Sequence, residues 1–167
     1  MSSSERETEQ ASLERFRVYV LAKGISAEII DCGSSTLTVA DAAAAVGCET
    51  GQILKTLLFH DRQEGFVIAI AAGLSRVDTT RLVALTGLKS ARLATSAVVL
   101  ELFGYPAGGV PPIDLPPDIP VFIDTRAAAL ETCYAGAGTT RHLVKLDPQI
   151  IVQLNKATIA QIIETNT

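Results

Sequence analysis

Apolar positions along the chain alternate between helix-like and strand-like spacing. Leu13, Phe16 and Val20 fall three and four residues apart, which predicts a helix that ends near Gly24. The run GFVIAIAAG, residues 65–73, is apolar throughout and bounded by glycine, as is typical of a central strand covered on both faces. Further strands are predicted in SAEIIDC, LKTLLFHD, KSARLA, IPVFID, ETCYAG and RHLVKL.

Residues that favour helix ends place further helices between these strands. Thr38 can begin a helix over residues 39–46 that Gly47 ends, and a short turn follows near Thr50. Helices are also predicted in TTRLVALTG and TSAVVLELFG, and a last one over DPQIIVQLNKATIAQIIE with Pro148 in its first turn. The order predicts an α/β (α+β) domain, with a mixed, mostly antiparallel sheet or partial barrel surrounded by helices.

The amino-terminal segment MSSSERETEQ is polar and charged, with no apolar stretch behind it. It predicts a disordered tail over residues 1–11, neither a signal peptide nor a membrane span, and a single domain over residues 12–167. A chain of 167 residues is long enough to bury one core of ordinary size.

Composition narrows the functional classes. Hydrophobic residues make up 48% and charged residues 19%, which is globular, and the net charge of −4 argues against gripping nucleic acid by phosphate charge alone. The three cysteines, Cys32, Cys48 and Cys133, are odd in number and form no CxxC pair, which favours a reducing cytoplasm over a disulfide framework. His60 and His142 have no partner at metal-ligand spacing, so neither a metal nor a cofactor is expected.

The segment GYPAGGVPPIDLPP, residues 104–117, holds five of the seven prolines and three of the twelve glycines. Glycine permits positive φ and close backbone approach, whereas proline fixes φ and removes an N–H donor. Together they predict a stiff wall that directs the remaining backbone groups into a cleft. The alternative is a proline-rich connection that crosses the surface between a helix and a strand.

Two other segments offer candidate chemistry. Lys55 lies where a turn enters the apolar strand ILKTLLF, so it projects a cation either into a cleft or into solvent. The segment GAGTTRH, residues 136–142, is either a backbone nest for an anion or ester oxygen or a hairpin turn. There is no GxSxG elbow and no Ser, His and Asp grouping, and the cysteines are more typical of buried structural residues. No enzyme nucleophile stands out.

Three segments in this order resemble the YbaK/EbsC family, the editing domains associated with prolyl-tRNA synthetase: VGCETGQILKTLLF, LFGYPAGGVPPI and CYAGAGTTRHLVKL. The resemblance runs from about residue 12 to the C-terminus. Its most specific element is a lysine before TLLF, here Lys55, followed about fifty residues later by GYxxGGxxP. The family's GxxxP element falls on residues 108–112, and its third glycine-rich segment on residues 136–138.

The resemblance implies a trans-acting aminoacyl-tRNA deacylase, which hydrolyses the ester of a mischarged tRNA of the Cys-tRNA(Pro) or Ala-tRNA(Pro) type. Positioned water would act without an enzyme nucleophile. The catalytic residues implied are Lys55, which holds the ester or terminal nucleotide, and Gly108, which orients water and carbonyl. The substrate-binding residues implied are Thr56, Tyr105, Gly109, Val110, Pro112, Gly136, Gly138 and His142.

The implied partners are the acceptor end of a mischarged tRNA and, as a source of affinity, a prolyl-tRNA synthetase or elongation factor. Two alternatives stay open: a non-catalytic module that binds an aminoacyl or nucleotide group, and a hydrolase of another small ester or thioester. The positions of Cys32, of Val144 or a neighbour, and of Ile113 depart from residues common in the family, so the amino acid removed stays open. The loop, together with side chains from DCGSS and TTRHL, is expected to filter substrate size. A Lys55 in a cleft beside residues 108–112 would favour an enzyme. An exposed Lys55 far from this loop would exclude a site formed by both.

Overall fold

The computed structural model describes residues 2–62 and 64–165. Its first helix, α1 (Ser3–Ala22), includes most of the segment predicted as a tail, so that prediction is wrong for residues 3–11. The reason is a capping box: the Ser2 hydroxyl accepts from the Glu5 amide at 3.2 Å, and the Glu5 carboxylate accepts from the Ser2 amide at 2.7 Å. This pairing satisfies two backbone donors at the helix start.

Eight strands and five further helices follow within the described ranges. The helices are α2 (Val39–Val46), α3 (Thr79–Thr86), α4 (Ser96–Phe103), α5 (Thr125–Ala128) and α6 (Pro148–Asn155), with a 3-10 turn at Thr50–Gln52. The strands are β1 (Glu28–Asp31), β2 (Leu54–His60), β3 (Phe66–Ala72), β4 (Arg92–Leu93), β5 (Val121–Asp124), β6 (Cys133–Gly136), β7 (His142–Leu146) and β8 (Thr158–Ala160).

The described strands form two sheets, one of order β1-β7-β6 and one of order β4-β2-β3-β5-β8. All pairs are antiparallel except β3 with β5 and β5 with β8, which are parallel. The prediction of a mixed, mostly antiparallel arrangement surrounded by helices is confirmed. Among the residues that the structure describes, one isolated bridge joins the two sheets, between Ile53 and Tyr134, and it does not close a barrel.

The carboxyl-terminal helix is shorter than predicted. Helix α6 ends at Asn155, because Lys156 takes a positive φ of 51°, and the chain then forms β8 beside β5. The Ile162 amide donates to the buried carboxylate of Asp124 at 3.0 Å. This distant partner favours an extended chain over further helix, and the helical spacing of apolar residues could not reveal it.

Apolar residues cover both faces of β3, as predicted. One core cluster lies between the two sheets and includes Phe16, Leu58 and Tyr105. A second covers the other face of the large sheet and includes Val67 and Leu82. A smaller third cluster, under α2, lies beside the cleft described next. No described helix has the length and apolar character needed to cross a bilayer.

Candidate active site

A cavity of about 240 Å³ lies where the two sheets meet. One wall is the start of β2 and the end of the 3-10 turn, a second is the proline- and glycine-rich loop, and a third is the segment leading into α2. The described lining residues are Thr36, Leu37, Thr38, Val39, Ala42, Ile53, Leu54, Lys55, Thr56, Leu57, Gly108, Val110, Gly136 and Leu143.

Five of the predicted site residues meet in this cavity: Lys55, Thr56, Gly108, Val110 and Gly136. They come from three segments that are far apart in sequence. Their convergence meets the condition that favoured an enzyme, a lysine in a cleft beside residues 108–112. The other five predicted residues lie outside the cavity lining: Tyr105, Gly109, Pro112, Gly138 and His142.

Strand β2 leaves part of its edge open toward the cavity. The Ile53 carbonyl accepts from Gly73 on the β3 side, whereas the Leu58 carbonyl accepts from Ala94 on the opposite side. Because these directions alternate along an antiparallel strand, the Thr56 backbone groups also point away from β3. Among the described strands, β4 reaches β2 only at Phe59 and His60. The Thr56 amide and carbonyl therefore face a gap in the sheet edge.

Lys55 is the charged side chain among the described lining residues, and it is partly buried. It forms no ion pair with any described residue. Burial lowers the pKa of the Lys55 ammonium, and the nearby Arg76 guanidinium lowers this pKa further. Lys55 also lines a second cleft beside β2, together with Arg76 and the carboxylate-bearing Glu164. Two cations therefore converge on this edge.

Three threonine hydroxyls line the cavity, and two are engaged. Thr36 donates to the Thr140 carbonyl at 3.1 Å, and Thr38 accepts from the Asp41 amide at 3.0 Å to cap α2. Thr56 Oγ1 is buried and has no hydrogen-bond partner among the described residues. A buried hydroxyl without a partner is costly, so Thr56 is suited to bind a ligand group.

The proline- and glycine-rich loop brings the backbone of Gly108 and Val110 into the cavity lining. The Gly109 amide is used within a turn, where it donates to the Pro106 carbonyl at 2.9 Å. The amides of Gly108 and Val110 donate to no described group. Since the next two residues are prolines, these two amides are the donors that this stretch of loop can offer to a developing negative charge.

The glycines of the loop and of the turn after β6 allow two backbones to meet. A Cβ at Gly109 would lie 2.6 Å from the Thr139 carbonyl carbon, and one at Gly136 would lie 2.7 Å from the Val110 carbonyl oxygen. The Gly138 amide donates to the Gly109 carbonyl at 2.8 Å. Gly109 and Gly138 thus hold the cavity wall together instead of lining it.

Tyr105 and Pro112 anchor the loop to the rest of the protein. Tyr105 is fully buried in the core between the sheets. The Pro112 carbonyl accepts from the Asn155 side-chain amide of α6 at 2.7 Å. Ile113, one of the departures from the family pattern, is also fully buried. This part of the loop is therefore fixed by the core and by α6.

His142 lies at the end of the turn, beside the cavity wall. Its Nδ1 is 2.7 Å from the Thr139 hydroxyl, and its Nε2 is 3.7 Å from Asp31, which also pairs with Arg141 at 2.7 Å. The same turn accepts a hydrogen bond from the Thr36 amide at 2.7 Å through the Thr140 carbonyl. His142 therefore stabilises the turn that holds the segment leading into α2.

Replacing His142 with glutamine should flatten the pH dependence of stability. Burial lowers the pKa of His142 in the folded state and outweighs the opposing effect of Asp31. The unfolded chain, whose histidine titrates near pH ~6.5, then binds more protons than the folded chain, so the free energy of unfolding falls as the pH drops below about 7. Urea unfolding at pH 7.5, 6.5 and 5.5 should show a smaller decrease for His142→Gln. A variant whose stability falls as steeply as that of the wild type would contradict this role.

The side chains suited to select a substrate agree only in part with those indicated by the sequence. Val144 is fully buried in the core, and Cys32 packs in the cluster under α2. Neither belongs to the cavity lining, but Leu143, the neighbour of Val144 at the end of the TTRHL segment, does line it. Leu37 and Val39 could not be singled out from the sequence, because only the distant contact between Thr36 and Thr140 brings their segment to the cavity. Alternation along β7 was the one available signal, since it places Leu143 and Val144 on opposite faces.

The described lining contains no cysteine, serine, histidine or carboxylate. Within it, the chemistry available is one cation, an unpartnered hydroxyl and free backbone donors around an apolar space. Such a site can polarise a carbonyl and position water. No group of three or more possible metal-ligating side chains occurs in the described part of the chain.

Comparison with known proteins gives consistent matches. The aminoacyl-tRNA editing domain family matches residues 34–154. The protein YwhH of Bacillus subtilis strain 168, whose function is uncharacterised, is 27% identical over 138 residues, which cover 83% of this chain and 87% of that one. EbsC of Enterococcus faecalis strain V583, a candidate Cys-tRNA(Pro)/Cys-tRNA(Cys) deacylase, is 26% identical over 126 residues, 75% of this chain and 77% of that one.

A solved structure extends the likeness to the whole fold. The crystal structure of a candidate trans-editing enzyme for prolyl tRNA synthetase matches with a TM-score of 0.77 and 31% identity, covering 99% of each chain. The resemblance carried by the lysine and glycine–proline motifs is thereby confirmed, and the chain belongs to the aminoacyl-tRNA editing domain family.

Proposed function

We propose that this protein is a trans-acting deacylase that hydrolyses the ester bond of a mischarged aminoacyl-tRNA. The observation that carries the proposal is the meeting of Lys55, Gly108 and Val110 in one small cavity whose described lining offers no enzyme nucleophile. An aminoacyl ester is already activated, so a positioned water and a place for the oxyanion are sufficient.

In the proposed reaction, water adds to the ester carbonyl carbon. The amides of Gly108 and Val110 stabilise the oxyanion that forms, since neither has another described partner. The bond between this carbon and the ribose oxygen then breaks, and the proton lost by the water passes to the departing ribose oxygen. The products are the free amino acid and the tRNA with its terminal hydroxyl restored.

Lys55 and Arg76 are suited to hold the nucleic acid. They approach the open edge of β2 from a second cleft, and Lys55 lines both clefts. We place the aminoacyl group in the 240 Å³ cavity and the terminal phosphodiester on the side of Arg76. Thr56, at the edge between the two, would bind the ester or the ribose through its unpartnered hydroxyl.

The cavity favours a small amino acid without charge. Eight of its described lining side chains are apolar, among them Leu37, Val39 and Leu143, and no described carboxylate lies in the lining to pair a cationic side chain. A space of about 240 Å³ holds the side chain of alanine, cysteine or proline together with part of the ribose. We therefore propose substrates of the Cys-tRNA(Pro) or Ala-tRNA(Pro) type.

Affinity for tRNA should be modest, because the net charge of −4 repels phosphate beyond the cleft. We propose that a prolyl-tRNA synthetase or an elongation factor presents the acceptor end to the protein in the cytoplasm. This arrangement would confine recognition to the last nucleotides, where the two cations lie.

The test is release of amino acid from a panel of tRNAs charged with alanine, serine, cysteine or proline, with and without a prolyl-tRNA synthetase. Rapid release of one small amino acid is the expected result. If no tRNA is deacylated but charged tRNA still binds, the protein is a non-catalytic module. Hydrolysis of simple amino-acid esters at a rate that tRNA does not increase would instead identify a small-ester hydrolase.

A further inference from the structure

The two ends of the loop over residues 104–114 are tied together by a single carboxylate oxygen. The Tyr105 hydroxyl donates to Asp114 Oδ2 at 2.6 Å, and Arg15 Nε of α1 lies 3.1 Å from the same oxygen. Asp114 has a positive φ of 61°, a conformation that aspartate adopts more readily than most residues. Asp114 thus joins both ends of the loop to α1.

Arg15 makes two further contacts at the start of the loop. Its Nη1 donates to the carbonyl of Phe103, the last residue of α4, at 2.9 Å. Its guanidinium carbon lies 4.2 Å from the centroid of the Tyr105 ring. A Cβ at position 104 would overlap Nη1, so Gly104 gives the guanidinium access to the helix end. A planar group with several fixed donors is needed for this set of contacts, and a lysine ammonium cannot reproduce it.

Tyr105 provides the core packing at the start of the loop, whereas Arg15 provides the contacts that orient it. Tyr105 is fully buried and packs edge-to-face on Phe16, with ring centroids 6.5 Å apart. The Arg15 side chain, in contrast, is 45% exposed. Exposed ion pairs contribute little to stability, so removing Arg15 should leave the fold standing while it loosens the attachment of Phe103 and Asp114 to α1.

We propose that Arg15 is a positioning residue for the cavity: by binding Phe103, Tyr105 and Asp114 together, it holds the Gly108 and Val110 amides where the ester carbonyl needs them. The inference rests on the proposed deacylase function. Oxyanion donors act only within a small tolerance of position, and the loop between its tied ends carries both of them. Because Arg15 does not line the cavity, substrate binding should not require it.

Two measurements on the full chain test this role in Arg15→Ala. Hydrogen exchange followed by NMR should be faster than in the wild type at the Gly109 amide, which donates within the loop, and at the Gly138 amide, which donates to the loop carbonyl of Gly109. The kcat for deacylation should fall by about 10-fold to 100-fold while KM stays within about 2-fold, since the loss concerns placement in the transition state.

A rescue experiment and a control test whether the effect is specific to the guanidinium. Millimolar guanidinium should restore part of kcat in Arg15→Ala, whereas the Arg15→Lys substitution should recover little of the wild-type kcat. Arg17→Ala, an exposed arginine on the same helix, is the matched control and should behave as wild type.

Wild-type exchange at the Gly109 and Gly138 amides in Arg15→Ala overturns the proposal, and so does a raised KM with unchanged kcat. Faster exchange with unchanged kcat also overturns it. If the wild-type protein deacylates no tRNA, the proposed function fails separately, and the exchange measurement still decides whether Arg15 positions the loop. Guanidinium that rescues Lys55→Met equally well would show a non-specific effect and count against the proposal.

Discussion

Replacing Lys55 with methionine is expected to lower kcat/KM for deacylation by about 100-fold, because the Lys55 ammonium holds the ester or terminal nucleotide, and misplacing the reacting atoms by about 1 Å can cost that much. Methionine keeps the apolar stem, so the substitution removes the charge and little packing. Lys55 has no ion-pair partner among the described residues, and its burial disfavours the charged form. Stability should therefore not fall, and the Tm should equal or exceed that of the wild type.

The matched control is Lys89→Met, because Lys89 is exposed and lines none of the described clefts. Deacylation of the tRNA identified in the panel, measured as single turnover, separates chemistry from product release. A Lys55→Met protein that is folded and as active as Lys89→Met would remove Lys55 from the mechanism. A loss of activity with a large fall in Tm would instead assign Lys55 a structural role.

Substituting Gly109 with alanine should damage both the fold and the site. The added Cβ would lie 2.6 Å and 2.7 Å from the carbonyl carbon and oxygen of Thr139, and backbone atoms cannot move aside as a flexible side chain can. Overpacking of this kind should cost about 3 kcal/mol of unfolding free energy. For a chain of this size the Tm should fall by about 6–12 °C. Deacylation should drop by more than the folded fraction explains, because the Gly108 and Val110 amides move with the wall.

Gly51→Ala is the control for this substitution. A Cβ there would meet no atom within 4 Å, and Gly51 lies in the 3-10 turn before β2. Thermal unfolding followed by circular dichroism should place Gly51→Ala within about 0.5 kcal/mol of the wild type, as for most surface substitutions. Equal Tm values for the two variants would show that the loop at Gly109 and the turn at Thr139 do not approach each other this closely.

Local signals in the sequence account for most of the fold. Capping residues begin α2, α3 and α4 where predicted, and a glycine in the left-handed region ends each of the three. These predictions succeed because a cap depends on a few adjacent residues. The carboxyl terminus is different: Ile162 has a helical spacing from Ile151, yet its backbone is held extended by Asp124, which is 38 residues away.

The candidate site was also predictable in part, because two of its residues belong to local sequence motifs. Lys55 and Gly108 could be singled out by their motifs, and the structure places them in one cavity. The roles expected of Gly109 and Gly138 differ from their contacts, since a glycine required by backbone packing and one that approaches a ligand look identical in sequence. The apolar side chains from the segment before α2 carry no motif, and only the fold brings them into the cavity.

Because Gly109 and Gly136 contact opposing backbone, the walls around the cavity differ in how readily they accept amino-acid substitutions during evolution. At these two positions any side chain displaces main chain, so the hydrolytic wall is closed to gradual change. The facing wall carries ordinary side chains, such as Leu37 and Val39, that can be exchanged one at a time. A lineage of such proteins can therefore drift from one preferred amino acid to another on that wall while its hydrolytic step is inherited intact.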